Sequence, residues 1–197
     1  MMLMQPRQAL EEVVLLNESG DEIGTMPKAY VHGEDTALHL AFSCYLRNDS
    51  GEVLMTRRAL TKQTWPGVWT NSFCGHPRPA EPMQAAVRRR AEYELGVAIS
   101  ALDVALPLFR YRAVDASGIV ENEICPVYLA RCGGRPRPNP GEVMDCEWVN
   151  PVSLGASVRL TPWAFSPWLV LQAHLLDFLG GSVASLDSAR ESDQMAG

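Results

Sequence analysis

The chain has 197 residues, 47% of them hydrophobic, which is enough for one well-buried domain. Its 17 basic and 23 acidic residues leave a net charge of −6, which excludes general binding to nucleic acid or to an anionic membrane surface, because both need a basic face. An anionic ligand must therefore be met by a local cluster of cations.

From Met1 to Leu10 the residues Gln5, Pro6, Arg7 and Gln8 interrupt any signal-peptide core, so 1–10 is expected to be a flexible segment. No apolar run reaches the length of a membrane span. Cys44, Cys74, Cys125, Cys132 and Cys146 lack C-x-x-C spacing, which points to reduced thiols and a cytoplasmic protein.

Val13 to Leu16 and Ile23 to Met26 flank Asn17-Glu18-Ser19-Gly20-Asp21, a predicted hairpin. Tyr30 to Asp35 reads as loop and carries His32. Leu38 to Leu46, with His39 near its start, and Glu52 to Thr56 form a second predicted hairpin around Arg47-Asn48-Asp49-Ser50-Gly51. Arg57 to Thr70 reads as loop, with Trp65-Pro66-Gly67 and Trp69. Pro82 to Leu95 is a predicted helix: proline suits its first turn and Gly96 its end. Met83, Val87, Ala91 and Leu95 recur every four residues as its core stripe, and Arg90 and Glu94 share a neighbouring face.

Phe109 to Val114 and Ile119 to Ala130 flank Asp115-Ala116-Ser117-Gly118, a third hairpin signal. Gly133 to Pro140 reads as a surface loop and Glu142 to Val149 as a strand. Pro162 to Leu179 is predicted helical with a break near Pro167. Residues 180–197 are polar and expected to be disordered, leaving 11–179 as one domain. The expected fold is α/β of the α+β kind, a mixed and mainly antiparallel sheet sandwiched by helices.

The segment Asn71-Ser72-Phe73-Cys74-Gly75-His76-Pro77 sets a thiol and an imidazole two residues apart, so in an extended chain both point the same way. Gly75 between them lets backbone approach a ligand closely. Glu121 and Glu123 repeat that spacing within an apolar run. Three imidazoles (His32, His39, His76) and these two carboxylates suit a divalent ion such as manganese, magnesium or zinc. The competing reading is solvated histidines beside a salt-bridged acidic pair. Cys74 is either a thiolate held by a nearby cation or a small buried hydrophobe. Burial is expected for Cys44, Cys125 and Cys146, and exposure for Cys132. Among the cations, Arg58, Lys62 and Arg90 are the candidates for a diphosphate, and Arg88 and Arg89 for a solvated helix face. Tryptophans 65, 69, 163 and 168 are expected in the core, with Trp168 also able to stabilise a cation on its face.

Gly75, Glu81, Arg89 and Glu94-Leu95-Gly96-Val97 resemble the Nudix box, but Arg90 and Tyr93 stand where that box has two further glutamates. Those are carboxylates with which Nudix hydrolases gather magnesium. From about Leu15 to Ala173 the chain resembles type I isopentenyl-diphosphate isomerase. The likeness rests on Leu38-His39-Leu40-Ala41-Phe42-Ser43, Arg57-Arg58-Ala59-Leu60, Trp65 through Pro77, Phe109-Arg110-Tyr111-Arg112-Ala113, Gly118 through Glu123, and Thr161 through Trp168. The resemblance implies a Nudix-like fold and a prenyl diphosphate substrate. It implies one divalent metal on His32, His39, His76, Glu121 and Glu123. A magnesium carried by the substrate would face Glu94 and the Cys74 backbone carbonyl. Lys28, Arg58, Lys62 and Arg90 would hold the diphosphate, while Cys74 and Glu123, with Tyr111 beside Glu123, would move the protons. Trp168 would face the cationic intermediate. A monomer is expected, with a weak homodimer as the alternative. Two other functions remain as rivals: a Nudix hydrolase of diphosphates, and a silent module that only binds a prenyl diphosphate.

Overall fold

The computed structural model describes residues 11–180. The expected flexible segment 1–10 and the expected tail beyond Gly180 lie outside the described residues. The elements in chain order are β1 (Glu12–Leu16), β2 (Glu22–Pro27), α1 (Lys28–Val31), β3 (His39–Leu40), β4 (Phe42–Arg47), β5 (Val53–Arg58), β6 (Trp69–Thr70), β7 (Phe73–Gly75) and α2 (Met83–Leu95). They continue with β8 (Ile99–Leu106), β9 (Arg110–Val114), β10 (Val120–Ile124), β11 (Val127–Cys132), β12 (Val143–Val149), α3 (Pro151–Leu160) and α4 (Pro167–Ala173), with 3-10 turns at Pro162–Ala164 and Asp177–Leu179.

Two sheets result. One has the order β2-β1-β3-β10-β9, the other β12-β5-β4-β11-β8, with β6 paired to β5 and β7 to β4. Only β3 with β10 and β4 with β11 run parallel; every other pair is antiparallel. The mixed, mainly antiparallel expectation is met.

Side chains of β4 alternate between two cores, as a period of two requires. Phe42, Cys44 and Leu46 pack with Ala86, Val87, Ala91 and Leu95 of α2. Ala41 and Tyr45 face the other way, onto Leu154 and Val158 of α3 and Trp168, Leu169 and Ala173 of α4. The larger sheet is thus covered by helices on both faces. Gly96 ends α2 at φ 61° with its N–H on the carbonyls of Ala91 and Glu92, a conformation open to glycine. Gly118, at φ 88°, closes the β9–β10 hairpin.

Several sequence expectations change. The run from Leu38 to Leu46 is two strands, parted at Ala41, and the run from Ile119 to Ala130 is two, parted at Cys125-Pro126. Proline has no N–H for a ladder, so the chain leaves one sheet there and enters the other. The stretch expected as loop from Arg57 to Thr70 holds the end of β5 and all of β6, and Lys28–Val31 forms a helical turn ahead of His32. β8 and α3 were not expected: β8 alternates too weakly, and α3 opens on Asn150, whose side chain caps Val152 and Ser153. The terminal helix is a short helix between two 3-10 turns. Trp163 is 83% exposed, contrary to expectation, while Trp168 is buried. Cys132 is buried rather than exposed, and Cys146 only partly buried.

Candidate active site

The register of the smaller sheet brings the candidate residues together. Glu123 stands opposite His39 on one side and Tyr111 on the other. Directly opposed residues share a face, so an imidazole, a carboxylate and a phenol line up across three strands. Glu121, two residues from Glu123, shares that face. The loop after α1 brings His32, and the end of β7 brings Cys74 and His76. These elements enclose a cavity of about 460 Å³.

His32, His39, His76 and Glu123 present ligand atoms that all lie within 4.8 Å of one another. His39 Nδ1 donates to the Ala37 carbonyl at 2.9 Å and Nε2 lies 3.4 Å from Glu123 Oε1; burial would lower this imidazole, but the hydrogen bond and charge of Glu123 push it up. His76 Nε2 lies 3.1 Å from the same oxygen. Burial, with its histidine neighbours, pushes His32 down to about 3, and burial pushes His76 down to about 4, so both imidazoles are neutral near pH 7. Glu123 is held low: burial would raise it, but hydrogen bonds and charge from His39 and His76 outweigh that. Buried nitrogens of His32, His39 and His76 have no hydrogen-bond partner. Neutral imidazoles at His32 and His76, a carboxylate held low beside them and orphaned buried nitrogens on all three histidines fit a divalent cation.

Glu121, expected among the ligands, is outside this group. Its oxygens accept from Thr64 Oγ1 and from Tyr111 Oη, each at 2.5 Å. Burial and the charge of Glu123 push its pKa up. Tyr111 Oη also lies 3.0 Å from Glu123 Oε2, so the phenol bridges the two carboxyl groups. Thr64 was not expected; it lies in a stretch read as loop, and a lone threonine there carries no signal.

Cys74 opens onto the same cavity. Its sulfur lies 3.4 Å from Ser43 Oγ and 3.3 Å from Asn71 Oδ1. Burial pushes the thiol up to about 12, with its hydrogen-bond contacts to Ser43 and Asn71 offsetting only part of that. The sulfur therefore carries its proton at neutral pH, which favours the buried-thiol reading of Cys74 over the thiolate one. Among its neighbours, Asn71 accepts from Trp168 Nε1 at 2.9 Å. The indole of Trp168 is 1% exposed, with the Tyr111 ring 5.8 Å and the Trp65 ring 5.5 Å from it, centre to centre.

Lys28, Arg58, Lys62 and Arg90 all line the cavity, and each has a partner. Lys28 pairs with Glu11, Lys62 with Glu142, and Arg90 with Glu94 and Glu142. Arg58 donates to the Thr64 carbonyl and lies 5.3 Å from the centre of the Trp168 ring. Glu94 does not reach the cavity wall; it accepts from Arg90 Nε at 2.9 Å and Nη2 at 2.6 Å. Arg88 and Arg89 stay off the cavity wall: Arg88 donates to the Ile99 carbonyl, and Arg89 pairs with Glu81 and donates to the His76 carbonyl at 3.1 Å. Glu11 and Glu142 were missed as neighbours of the cations, because pairing across distant segments leaves no spacing to read.

Residues 37–169 match the model of the NUDIX domain. The chain is 65% identical over 178 residues to the isopentenyl-diphosphate Delta-isomerase of Agromyces mediolanus, covering 90% of this chain and 86% of that protein. It is 60% identical over 164 residues to the enzyme of that name from Paenarthrobacter aurescens, covering 83% and 89%. The corresponding protein of Klebsiella pneumoniae is 53% identical over 167 residues, covering 85% and 91%. Among solved structures, DR0079 from Deinococcus radiodurans aligns with a TM-score of 0.63 at 24% identity, covering 82% of this chain and 96% of that one. A MutT protein from Methanosarcina mazei aligns at 0.55 and 18% identity, covering 73% and 91%. At those identities the two structures are alike in fold.

Proposed function

The chain belongs to the NUDIX-domain family and, within it, to the isopentenyl-diphosphate Delta-isomerases, and on that premise we propose that it interconverts isopentenyl and dimethylallyl diphosphate by moving protons between Cys74 and Glu123. The observation that carries the residue assignment is that both side chains line one cavity, which also holds a cationic end and a tryptophan.

The reaction adds a proton to one carbon of the allylic unit and removes one from another, through a tertiary, carbocation-like state. An alkene is a very weak base, so the donor must be placed against it and the developing charge stabilised. In the isopentenyl-to-dimethylallyl direction, Glu123 donates with Tyr111, and the sulfur of Cys74 accepts. Tyr111 bridges Glu123 to Glu121, whose pKa is pushed up by burial and by the charge of Glu123, so the phenol offers a path for a proton between the two carboxyl groups. With the thiol at rest holding its proton, the site as described is loaded for the opposite direction, in which Cys74 donates and Glu123 accepts. The face of Trp168 favours the cation by about 1–2 kcal/mol once water is displaced.

Lys28, Arg58, Lys62 and Arg90 hold the diphosphate, whose binding energy orients the hydrocarbon without taking part in the bond changes. Their present carboxylate partners, Glu11 and Glu142, give way to it. His32, His39, His76 and Glu123, with Glu121 behind, would hold a divalent ion, which would supply a fixed positive charge beside the Glu123 carboxylate; manganese, zinc and magnesium all suit these donors. A magnesium accompanying the diphosphate would be met by the Cys74 carbonyl, and by Glu94 only once that carboxylate leaves Arg90, since it now stays off the cavity wall. We read the protein as a monomer, with a weak homodimer as the alternative. The free cysteines suit a cytoplasmic setting. No described helix is long and apolar enough to cross a membrane.

Hydrolysis is disfavoured by a particular substitution. Arg90 and Tyr93 occupy the places of two glutamates of the Nudix box, and the guanidinium lies over the tyrosine ring at 5.0 Å. The test is turnover of isopentenyl diphosphate with magnesium, followed by product chromatography and mass. Cys74→Ala and Glu123→Gln should each lower isomerisation by about 10²–10⁴-fold with the fold retained. Near-normal turnover in both variants, or phosphate as the product, would end the proposal.

A further inference from the structure

We propose that Tyr45, Gln172 and Ser43 form a buried hydrogen-bond relay that dictates the orientation of the Cys74 thiol, which makes Ser43 and Gln172 positioning residues for the reaction. The proposal rests on the reading of Cys74 as a proton carrier.

Tyr45, Gln172 and Ser43 are each fully buried, so every donor among them must find its acceptor within the protein. Tyr45 Oη donates to Gln172 Oε1 at 2.7 Å, and Gln172 Nε2 donates to Ser43 Oγ at 3.0 Å. Turning the amide over would place its N–H against Tyr45 and leave the phenol hydrogen with no acceptor among the described residues. The amide orientation is therefore set by the tyrosine. Ser43 Oγ, having accepted from Gln172, has one hydrogen left to give. The atoms left to receive it are the sulfurs of Cys74, at 3.4 Å, and Cys125, at 3.5 Å.

Strand register favours Cys74, which stands directly opposite Ser43 in the β4–β7 pair. The Cys74 thiol in turn donates to Asn71 Oδ1 at 3.3 Å, an oxygen that also receives the Trp168 indole N–H. The Asn71 amide is itself anchored, because its Nδ2 donates to the carbonyls of Cys44 and Phe73. One lone pair of the sulfur is thus occupied by Ser43 and its hydrogen rests on Asn71, so the thiol delivers that hydrogen to the cavity by turning about Cβ–Sγ and breaking the contact with Asn71. Both controlling contacts come from α4: Trp168 and Gln172 are four residues apart on one helix face, one reaching Asn71 and the other Ser43. Docking of α4 and orientation of the sulfur are one structural event.

The test uses full-length Ser43→Ala and Gln172→Leu proteins. Two quantities are read: kcat and KM for isopentenyl diphosphate, and the S–H stretching band of Cys74 in Raman difference spectra, each variant measured against its own Cys74→Ala double. Both variants should lose about tenfold or more in kcat, as expected for one lost orienting hydrogen bond, with KM within about twofold. Both should also shift the S–H band. Cys125→Ala removes the competing sulfur and should leave both quantities near wild type. A band unmoved in Ser43→Ala, or a change confined to KM, would overturn the proposal. Should Gln172→Leu fail to fold, Ser43→Ala carries the test. Absence of isomerisation in the wild-type protein would refute the isomerase reading, and the S–H band would still report on the relay.

Discussion

Gly75 shows how one missing side chain shapes the site. A Cβ built there would lie 2.8 Å from Arg90 Cγ and 3.0 Å from Phe42 Cζ. The glycine thus lets the Arg90 stem lie against β7, a different reason from the close approach of a ligand expected from sequence. Gly75→Ala should displace Arg90 from the cavity and overpack the α2 side of the sheet. Expected results are a KM for the diphosphate raised severalfold and a stability loss of about 1–3 kcal/mol, read by steady-state kinetics and urea unfolding. An unchanged KM would separate Arg90 from diphosphate binding. At this scale the reactive residue types were legible, because a thiol, three imidazoles and two glutamates within apolar runs are unusual. Their protonation was not. The thiol at Cys74 follows from burial, and the contrast between Glu121 and Glu123 from which one faces the histidines.

Helices and strands were legible where a pattern was long enough to repeat. α2 matched its four-residue stripe and its glycine stop, and the three hairpin signals each closed a pair of strands. The unexpected α3 is held by a contact that no local pattern announces. A Cβ on Gly155 would fall 1.8 Å from the Leu179 carbonyl oxygen, so the 3-10 turn at Asp177–Leu179 lies directly on α3. Arg159 Nη1 adds a hydrogen bond to that carbonyl at 3.1 Å. Backbone cannot yield as a flexible side chain does. Gly155→Ala should therefore part the turn from α3 and destabilise the protein by about 3 kcal/mol or slightly less, the upper part of the range for overpacking. Thermal unfolding reads this, and a melting temperature equal to wild type would contradict the packing.

Across the whole molecule, the histidine group joins three separate segments: the loop after α1, β3, and the end of β7. A divalent ion held there would bind the folded state alone and would therefore add to stability by mass action. Saturation at a hundredfold excess over Kd should raise stability by about 2.7 kcal/mol, seen as a higher melting temperature after metal is restored to chelated protein. His39→Ala should abolish that difference. Equal melting temperatures for chelated and reloaded wild type would remove the ion from this site.

From its residues alone the chain declared the family, the mixed sheet with flanking helices, and the thiol, imidazole, carboxylate and cationic residues that line the cavity, because motif spacing and apolar periodicity are local properties. What the tertiary structure decided is convergence. Breaks at Ala41 and Pro126 pass the chain between two sheets, and only that crossing brings Cys74 on one sheet and Glu123 on the other to a common cavity. Pairing partners such as Glu142, Thr64 and Gln172 lie dozens of residues away from the groups they hold. Contact between such distant positions depends on strand register and helix docking, which no short stretch of sequence encodes.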